Sequence, residues 1–247
     1  MILLTIVVIF CYVVWHSLEI AAFGTRVAGR LTNRPALGTT LSQTVYMTAD
    51  FFIIFFLPAL GYIVESGITI HDYLTLVLIA YSLTFIMSII MLIKLNGLQQ
   101  FYQVIFAKYK DNTIPIAILK SLVSKKTDLN IKDCERFTFD KIIIKKSLVS
   151  FLAYIFLITG FFNAFMLAVL FPENRLTLSQ FTAAFHGFGG IILAFYLDPM
   201  LSRSIDTYSD NSTWLKNVYS ILFGRILSYL AIIIALLIFL YYLKSII

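Results

Sequence analysis

Six long apolar runs constrain the fold of this chain more than any other feature. They lie at about residues 2–24, 38–64, 73–95, 147–171, 178–198 and 215–243. A run of about 18 or more apolar residues is long enough to cross the hydrocarbon core of a bilayer as a helix. Charged residues make up only 13% of the chain and its mean hydropathy is +0.90, whereas about a quarter of the residues in soluble domains are charged. The sequence therefore predicts an all-α integral membrane protein, with residues 1–247 forming a single polytopic domain.

The basic residues are distributed unevenly between the two sides of this predicted bundle. Sixteen of the 19 lysines and arginines lie in or beside the connections that follow spans 1, 3 and 5. Lysine and arginine concentrate in cytoplasmic loops, so we expect these connections in the cytoplasm and both termini outside. The N-terminal run lacks the basic leader and cleavage site of a signal peptide, which predicts a retained first span. The net charge of +6 has no soluble domain to carry it, which argues against nucleic-acid binding.

The connection at residues 96–146 is the one sizeable extramembrane piece that the pattern predicts. Apolar residues from Leu98 to Tyr109 recur at helical spacing, as in an amphipathic helix. A shorter repeat from Ile118 to Val123 has Lys120, Lys125 and Lys126 nearby. Such helices often lie on an anionic leaflet, which makes membrane lipids the expected partner of this loop.

Span 1 carries a polar stripe that anchoring in a bilayer does not require. At about 100° per residue, His16, Glu19, Arg26, Arg30 and Arg34 fall within an arc of about 80° if one helix contains them all. Positive-inside residues that happen to be spaced by four would explain the arginines alone. Because His16 and Glu19 share their face, we favour a groove that guides a charged, membrane-embedded substrate.

Other ionisable residues fall inside or at the ends of the remaining spans. Asp50 ends a polar face of span 2 that also holds three residues suited to hydrogen bonding between helices, Thr39, Gln43 and Tyr46. Arg225 lies within span 6 and needs a partner, for which Asp198, Asp50 and Glu19 are candidates. Ionisable groups inside a membrane usually mark function, so Asp50 and Arg225 join the predicted substrate-binding set.

Span 5 combines a histidine with small residues and ends in a polar segment. Ala183, Gly187, Gly190 and Ala194 share one face, which favours tight helix packing. His186 stands beside them, either as a hydrogen-bonded core histidine or with a substrate or proton role. Proline disfavours the helical region in the residue before it, so we expect Pro199 to end the helix at the start of the polar segment 198–206.

Motifs for several enzyme classes are absent from the sequence. There is no G-x-x-x-x-G-K-[ST] phosphate loop, G-x-S-x-G elbow or H-E-x-x-H helix. Cys11 and Cys134 provide neither metal spacing nor a disulfide framework, and no third ligand accompanies His16 and Glu19. We therefore predict no metal, no cofactor and no ATPase activity. Transport without ATP would run downhill, or use the membrane potential or a proton.

Three motifs occur in register along the chain. They are Thr25-Arg26-Val27-Ala28-Gly29-Arg30-Leu31-Thr32 at the end of span 1, Asp198-Pro199-Met200-Leu201-Ser202 with Asp206 and then Arg225-Ile226-Leu227, and, more weakly, Pro58-Ala59-Leu60-Gly61. Together they resemble the Amj family, the alternate lipid II flippases of bacteria. The resemblance covers the whole chain in order and spacing. It implies a multi-pass protein of the bacterial inner membrane whose substrate is a lipid-linked oligosaccharide of the undecaprenyl-pyrophosphate type.

The resemblance also implies roles for individual residues. Arg26, Arg30 and Arg225 would face the phosphates of the substrate or brace the cavity, and Asp198 and Asp206 would hold a cytoplasmic gate near Arg203. Arginine binds phosphate oxygens well, so the arginines of span 1 would load the pyrophosphate and the stripe toward Glu19 and His16 would lead it inward. The alternatives are transport of another lipid-linked glycan, a membrane-embedded enzyme that uses His16 and His186, or a scaffold subunit. The sequence predicts no particular protein partner.

Overall fold

The computed structural model of the protein describes residues 1–123 and 131–246. The regular secondary structure of these residues consists of helices, joined by short turns and irregular segments. Its eleven α-helices are α1 (Ile2–Leu31), α2 (Pro35–Asp50), α3 (Ile53–Glu65), α4 (Ile70–Ile93), α5 (Leu95–Lys108), α6 (Ile114–Val123), α7 (Ile144–Leu170), α8 (Arg175–Ser179), α9 (Phe181–Ile192), α10 (Asp198–Thr207) and α11 (Asn211–Ile246). A π-helical turn, Leu193–Leu197, joins α9 to α10.

Among the described residues, six helical segments are long and apolar enough to cross a membrane. They are α1, α2 with α3, α4, α7, α8 through α10, and α11. The predicted fold class is confirmed, and the six spans lie where the apolar runs predicted them. Several helices extend beyond those runs, however. α1 continues past the predicted end at residue 24 to Leu31, so Arg26 and Arg30 are helical.

Helix α1 lies at the centre of the bundle and packs against α2, α3, α4, α5 and α11. Aromatic side chains surround its middle. The ring of Tyr12 lies 5.7 Å from that of Phe56 and 4.8 Å from that of Phe162, and its hydroxyl donates to the Ile158 carbonyl at 3.0 Å. This aromatic layer fills the bundle on the N-terminal side of His16. The charged residues of α1, Glu19, Arg26 and Arg30, lie beyond this layer, toward the C-terminal end of the helix.

A tight turn separates α1 from α2. Asn33 adopts a positive φ of 58°, and Pro35 occupies the first turn of α2, where proline is well tolerated. Arg34 consequently precedes α2 instead of continuing α1, and its Nη1 donates to the Phe106 carbonyl at 3.4 Å. A polar stripe that includes Arg34 requires one helix from His16 to Arg34. Because α1 ends at Leu31, Arg34 does not belong to the stripe.

The second and fifth spans are interrupted helices. In the second, Phe51 and Phe52 separate α2 from α3, while Pro58 lies inside α3. In the fifth, Pro199 does not end the helix, so that prediction is wrong. It occupies the first turn of α10, where its missing N–H removes no obligatory hydrogen bond, and the π-helical turn before it carries the chain onward.

The small residues of the fifth span do not form the packed seam that their spacing predicts. A Cβ added at Gly187 or Gly190 would meet no atom within 4 Å. Gly189, outside that set, is the residue against α7, where an added Cβ would lie 2.8 Å from the Ala153 carbonyl oxygen. The face with Gly187 and Gly190 is therefore open.

The connection between α4 and α7 contains the two predicted amphipathic helices, α5 and α6. The apolar face of α5 is not available to contact a membrane leaflet, because Tyr102, Ile105 and Phe106 are buried together with residues of α1, α2 and α6. In α6, Leu119 and Leu122 are exposed. Lys125 and Lys126 lie outside the described residues.

Candidate functional site

A polar cavity of about 260 Å³ lies inside the bundle, beside the aromatic layer. Helices α1, α2, α7 and α11 and the segment from α9 to α10 each contribute to its wall. The lining residues are Glu19, Gln43, Tyr46, Tyr154, Leu157, His186, Gly190, Leu193, Ala194, Asp198 and Arg225. Four of the residues predicted from the sequence thus meet in one place: Glu19, His186, Asp198 and Arg225.

Glu19 and Arg225 form a buried ion pair at the inner end of this cavity. Arg225 Nη2 lies 2.5 Å from Glu19 Oε2, and Arg225 is only 1% exposed. His16 completes the cluster, since its Nδ1 lies 2.8 Å from Glu19 Oε2 and 3.0 Å from Arg225 Nη2. Burying a charge without a partner is very costly, so this pairing explains how α1 and α11 carry charges at this depth.

Polar atoms around the cluster still have hydrogen-bonding capacity. Arg225 Nε and Nη1 and His186 Nδ1 are buried and have no hydrogen-bond partner among the described residues. The guanidinium lies over the ring of Tyr154, with Cζ 4.6 Å from the ring centroid. Buried polar groups are nearly always hydrogen-bonded, so these donors are suited to an anionic or polar ligand in the cavity.

A second ion pair lies about two turns further along α1. Arg26 Nη1 is 2.9 Å from Asp198 Oδ1, and Arg26 Nε donates to Ser42 Oγ at 3.3 Å. The Arg26 side chain is 8% exposed and that of Asp198 is 37% exposed. Arg26 therefore holds the start of α10 and the middle of α2 against α1, and Asp198 faces the cavity from that position.

Arg30 lies outside the cavity and contacts the chain that joins α10 to α11. Its guanidinium donates to the carbonyls of Ile205 at 2.7 Å and of Tyr208, and to Asn211 Oδ1 at 3.0 Å. Of the two roles that the resemblance implies, phosphate contact or bracing, this geometry matches bracing.

Three other predicted site residues are exposed and do not line the cavity. Asp50 ends α2, and Arg203 and Asp206 lie on α10. Of the three candidate partners for Arg225, only Glu19 pairs with it in the described part of the chain. A gate that includes Arg203 and Asp206 remains a prediction.

Sequence reasoning missed or undervalued several residues of the site. The sequence favours hydrogen bonding between helices for Gln43 and assigns no site role to Tyr46, yet both line the cavity. Tyr154 and Ser42 were not singled out at all. One signal for Tyr154 was available, because Ser147, Ser150 and Tyr154 recur at i, i+3 and i+7 and so share one helix face. Within the described residues, no group of three or more metal-ligating side chains occurs.

One comparison with known protein families finds a match for this chain. The family model of Amj, described as "Alternate to MurJ", matches residues 11–243 of the 247. The chain belongs to the Amj family. No curated protein and no solved structure matches it in the corresponding comparisons.

Membership in the Amj family indicates the general class of activity. The family name implies an alternate lipid II flippase, which is a transporter and not an enzyme. This Amj protein is accordingly a multi-pass membrane protein whose family acts in peptidoglycan biosynthesis. The motif arginines Arg26 and Arg225, which carried the resemblance, both occupy buried ion pairs beside the cavity.

Proposed function

We propose that this protein moves lipid II from the cytoplasmic to the outer leaflet of the bacterial inner membrane, and that the cavity receives its pyrophosphate. The observation that carries the proposal is a pair of buried arginines beside one cavity within bilayer-length helices: Arg225 lines the cavity, and Arg26 pairs with Asp198 of its lining. A pyrophosphate cannot cross hydrocarbon without compensation of its charge. Arginine is well suited to supply that compensation.

Within the cavity, binding of the pyrophosphate is proposed to begin at Arg26. The partner of this arginine, Asp198, is more than a third exposed to the cavity side, so an incoming phosphate can compete with the carboxylate for the guanidinium. Exchange of one anion for another keeps Arg26 paired throughout, which avoids the cost of a buried, unpaired charge. Release of Asp198 would also free the start of α10 from α1.

The small volume of the cavity supports the proposal that this structure is a closed state, which lies between a state open to the cytoplasm and a state open to the outside. Ligand pockets for drug-sized molecules measure about 300–1,000 Å³, and this cavity, at about 260 Å³, is smaller. A glycan headgroup therefore requires its walls to move apart. The segments best placed to move are α2 and the stretch from α9 to α10, because each lines the cavity, lies at the edge of the bundle and is interrupted. Separation between them would leave the lipid tail in the bilayer.

Complementation tests this function directly. A bacterial strain depleted of its essential lipid II flippase would receive the wild type, Arg26→Ala, Asp198→Ala or, as a control, Lys145→Ala, all at matched membrane levels. We expect the wild type and the control to restore growth and outward display of lipid II, and Arg26→Ala to restore neither. Lys145 is an exposed cation away from the cavity.

Two outcomes would contradict the proposal at different points. If the well-expressed wild type fails to rescue, the substrate is another lipid-linked glycan. If Arg26→Ala rescues as well as the wild type, Arg26 does not bind the pyrophosphate.

A further inference from the structure

A second concavity, separate from the central cavity, lies between the beginning of α7 and the outer side of α10. Its volume is about 440 Å³, and its walls include Lys146, Phe195, Tyr196, Pro199, Met200 and Arg203. We call it the α7–α10 groove. The π-helical turn and α10 separate it from the central cavity, because Leu193, Ala194 and Asp198 line the cavity while Phe195, Tyr196 and Pro199 line the groove.

Two cations supply the charge of the groove. Lys146 is part-buried and donates from Nζ to Asn217 Oδ1, and Arg203 is exposed on α10. No carboxylate belongs to the groove lining, and neither cation forms an ion pair with any residue in the described ranges. Two cations in one groove whose lining has no carboxylate are complementary to a doubly charged anion.

The other wall of the groove is apolar and faces the surroundings of the bundle. Phe195 is 79% exposed and Tyr196 is 63% exposed, at the junction where the fifth span approaches its basic end. Exposed aromatic side chains at the end of a span are typical of the boundary between hydrocarbon and headgroups. The groove therefore offers a hydrocarbon-facing surface next to two cations, as an anionic lipid requires.

We propose that the α7–α10 groove is a loading site that binds the pyrophosphate of a polyprenyl-linked lipid before its headgroup enters the central cavity. Lys146 and Arg203 contact the phosphates, and the first isoprene units lie along Phe195 and Tyr196. The number of cations favours this occupant, because a pyrophosphate diester carries two negative charges and an ordinary anionic phospholipid carries one. This assignment rests on the function proposed above, since it places the substrate of that transport on its way in.

The position of the groove connects binding there to opening of the cavity. The π-helical turn has one side in the groove and the other in the cavity, and π-helical turns often occur at functional sites. Arg203 lies on the same helix as Asp198, whose ion pair with Arg26 joins α10 to α1. We expect a lipid bound at Arg203 to favour the arrangement of α10 in which that ion pair is released.

Site-specific photo-crosslinking tests the assignment. A photoreactive amino acid replaces Tyr196 in the full-length protein in bacterial cells, and the captured lipid is identified by mass spectrometry. The control position is Tyr62, which is exposed on α3 of the second span. We expect Tyr196 to capture polyprenyl-pyrophosphate lipid and Tyr62 to capture bulk phospholipid only.

Charge variants determine whether the cations hold the lipid. Arg203→Gln combined with Lys146→Gln is expected to lower capture at position 196 at least tenfold, whereas Lys145→Gln with Lys216→Gln, two cations outside the groove lining, leaves it unchanged. Because Lys146 contacts Asn217, Arg203→Gln alone provides a milder variant and should lower capture severalfold. Capture of bulk phospholipid alone at Tyr196, or capture insensitive to these variants, would overturn the assignment.

The result is independent of the complementation test. Rescue by the wild type without capture of polyprenyl-pyrophosphate lipid at position 196 would overturn the loading site in the groove but support the transport function. Capture of that lipid without rescue would support the groove as a lipid-binding site and overturn the proposed flipping of lipid II.

Discussion

At the scale of single residues, buried charge in this protein is held in two ion pairs that share one helix. Glu19 and Arg26, both on α1, pair with Arg225 and Asp198, which lie far away in the chain. Removing one member of the more deeply buried pair, Glu19 with Arg225, leaves the other charge uncompensated and typically costs about 3–5 kcal/mol. The pairs therefore contribute to the fold as well as to the proposed transport.

The first prediction concerns the coupling of Glu19 with Arg225. Glu19→Gln and Arg225→Gln should each destabilise the purified protein by about 3–5 kcal/mol, and the double variant should cost less than the sum, because neither charge then remains unpaired. Denaturation in detergent micelles measures the three values. Glu173→Gln, at an exposed position in another connection, is the matched control. Strictly additive costs would show that the two side chains do not stabilise each other.

At the scale of helices, α1 and α2 approach each other closely enough to require glycine on both. A Cβ added at Gly29 would lie 2.7 Å from Gly38 Cα, and one added at Gly38 would lie 2.8 Å from the Thr25 carbonyl oxygen. Both obstacles are backbone atoms, which cannot rotate away as a side chain can. Close approach of small residues is a common way to pack helices in membranes.

The second prediction follows from this contact. Gly29→Ala should lower stability by about 1–3 kcal/mol through overpacking and should shift α1 relative to α2. The melting temperature of the purified variant and its activity in complementation are the measurements. Gly97→Ala on α5 serves as the control, since a Cβ there meets no atom within 4 Å. Equal melting temperatures for the two variants would show that α1 and α2 do not touch at Gly29.

The third prediction tests relative movement of two interrupted spans. Gln43 on α2 and Ala194 in the π-helical turn line the cavity from different segments. In a background without Cys11 and Cys134, a reducible bifunctional thiol reagent that joins Gln43→Cys to Ala194→Cys should abolish transport, and reduction should restore it. The single-cysteine variants treated with the same reagent are the controls. Full transport by the cross-linked protein would mean that these segments do not separate.

At the scale of the whole molecule, the three basic connections meet at one end of the bundle. Arg30, at the end of α1, contacts the connection between α10 and α11, and Arg34 contacts α5. At the other end, Arg175 Nη1 donates to the Glu65 carbonyl and Ser66 contacts Met1. The charge asymmetry seen along the sequence is thus an asymmetry between two ends of the folded protein.

The fourth prediction assigns these ends to the two sides of the membrane. With the native cysteines replaced, Glu173→Cys should react in intact cells with a thiol reagent that does not cross the inner membrane, and Asp111→Cys should react only after permeabilisation. Both positions are exposed. The positive-inside distribution is the physical reason. The reverse pattern of labelling would invert the proposed orientation.

Short-range features of the chain were predictable because they depend on local composition and period. The six spans follow from the lengths of the apolar runs, and the shared face of His16, Glu19 and Arg26 follows from the period of one helix. The end of α1 and the continuation through Pro199 were harder to predict, because the details of a turn and the first-turn tolerance for proline decide them. Two of the motifs that carry the family resemblance, 25–32 and 198–202, lie at these same places.

The sequence by itself determined that this chain spans the membrane six times, concentrates its positive charge on one side and carries a polar face on its first helix. Tertiary structure alone decided that Arg225 pairs with Glu19, that Arg26 pairs with Asp198, and that Arg203 faces a separate groove. It also decided that Gly187 and Gly190 are open while Gly189 is packed. The physical reason is that a helix period sets which residues share a face, whereas the packing of helices distant in the chain sets what each face meets.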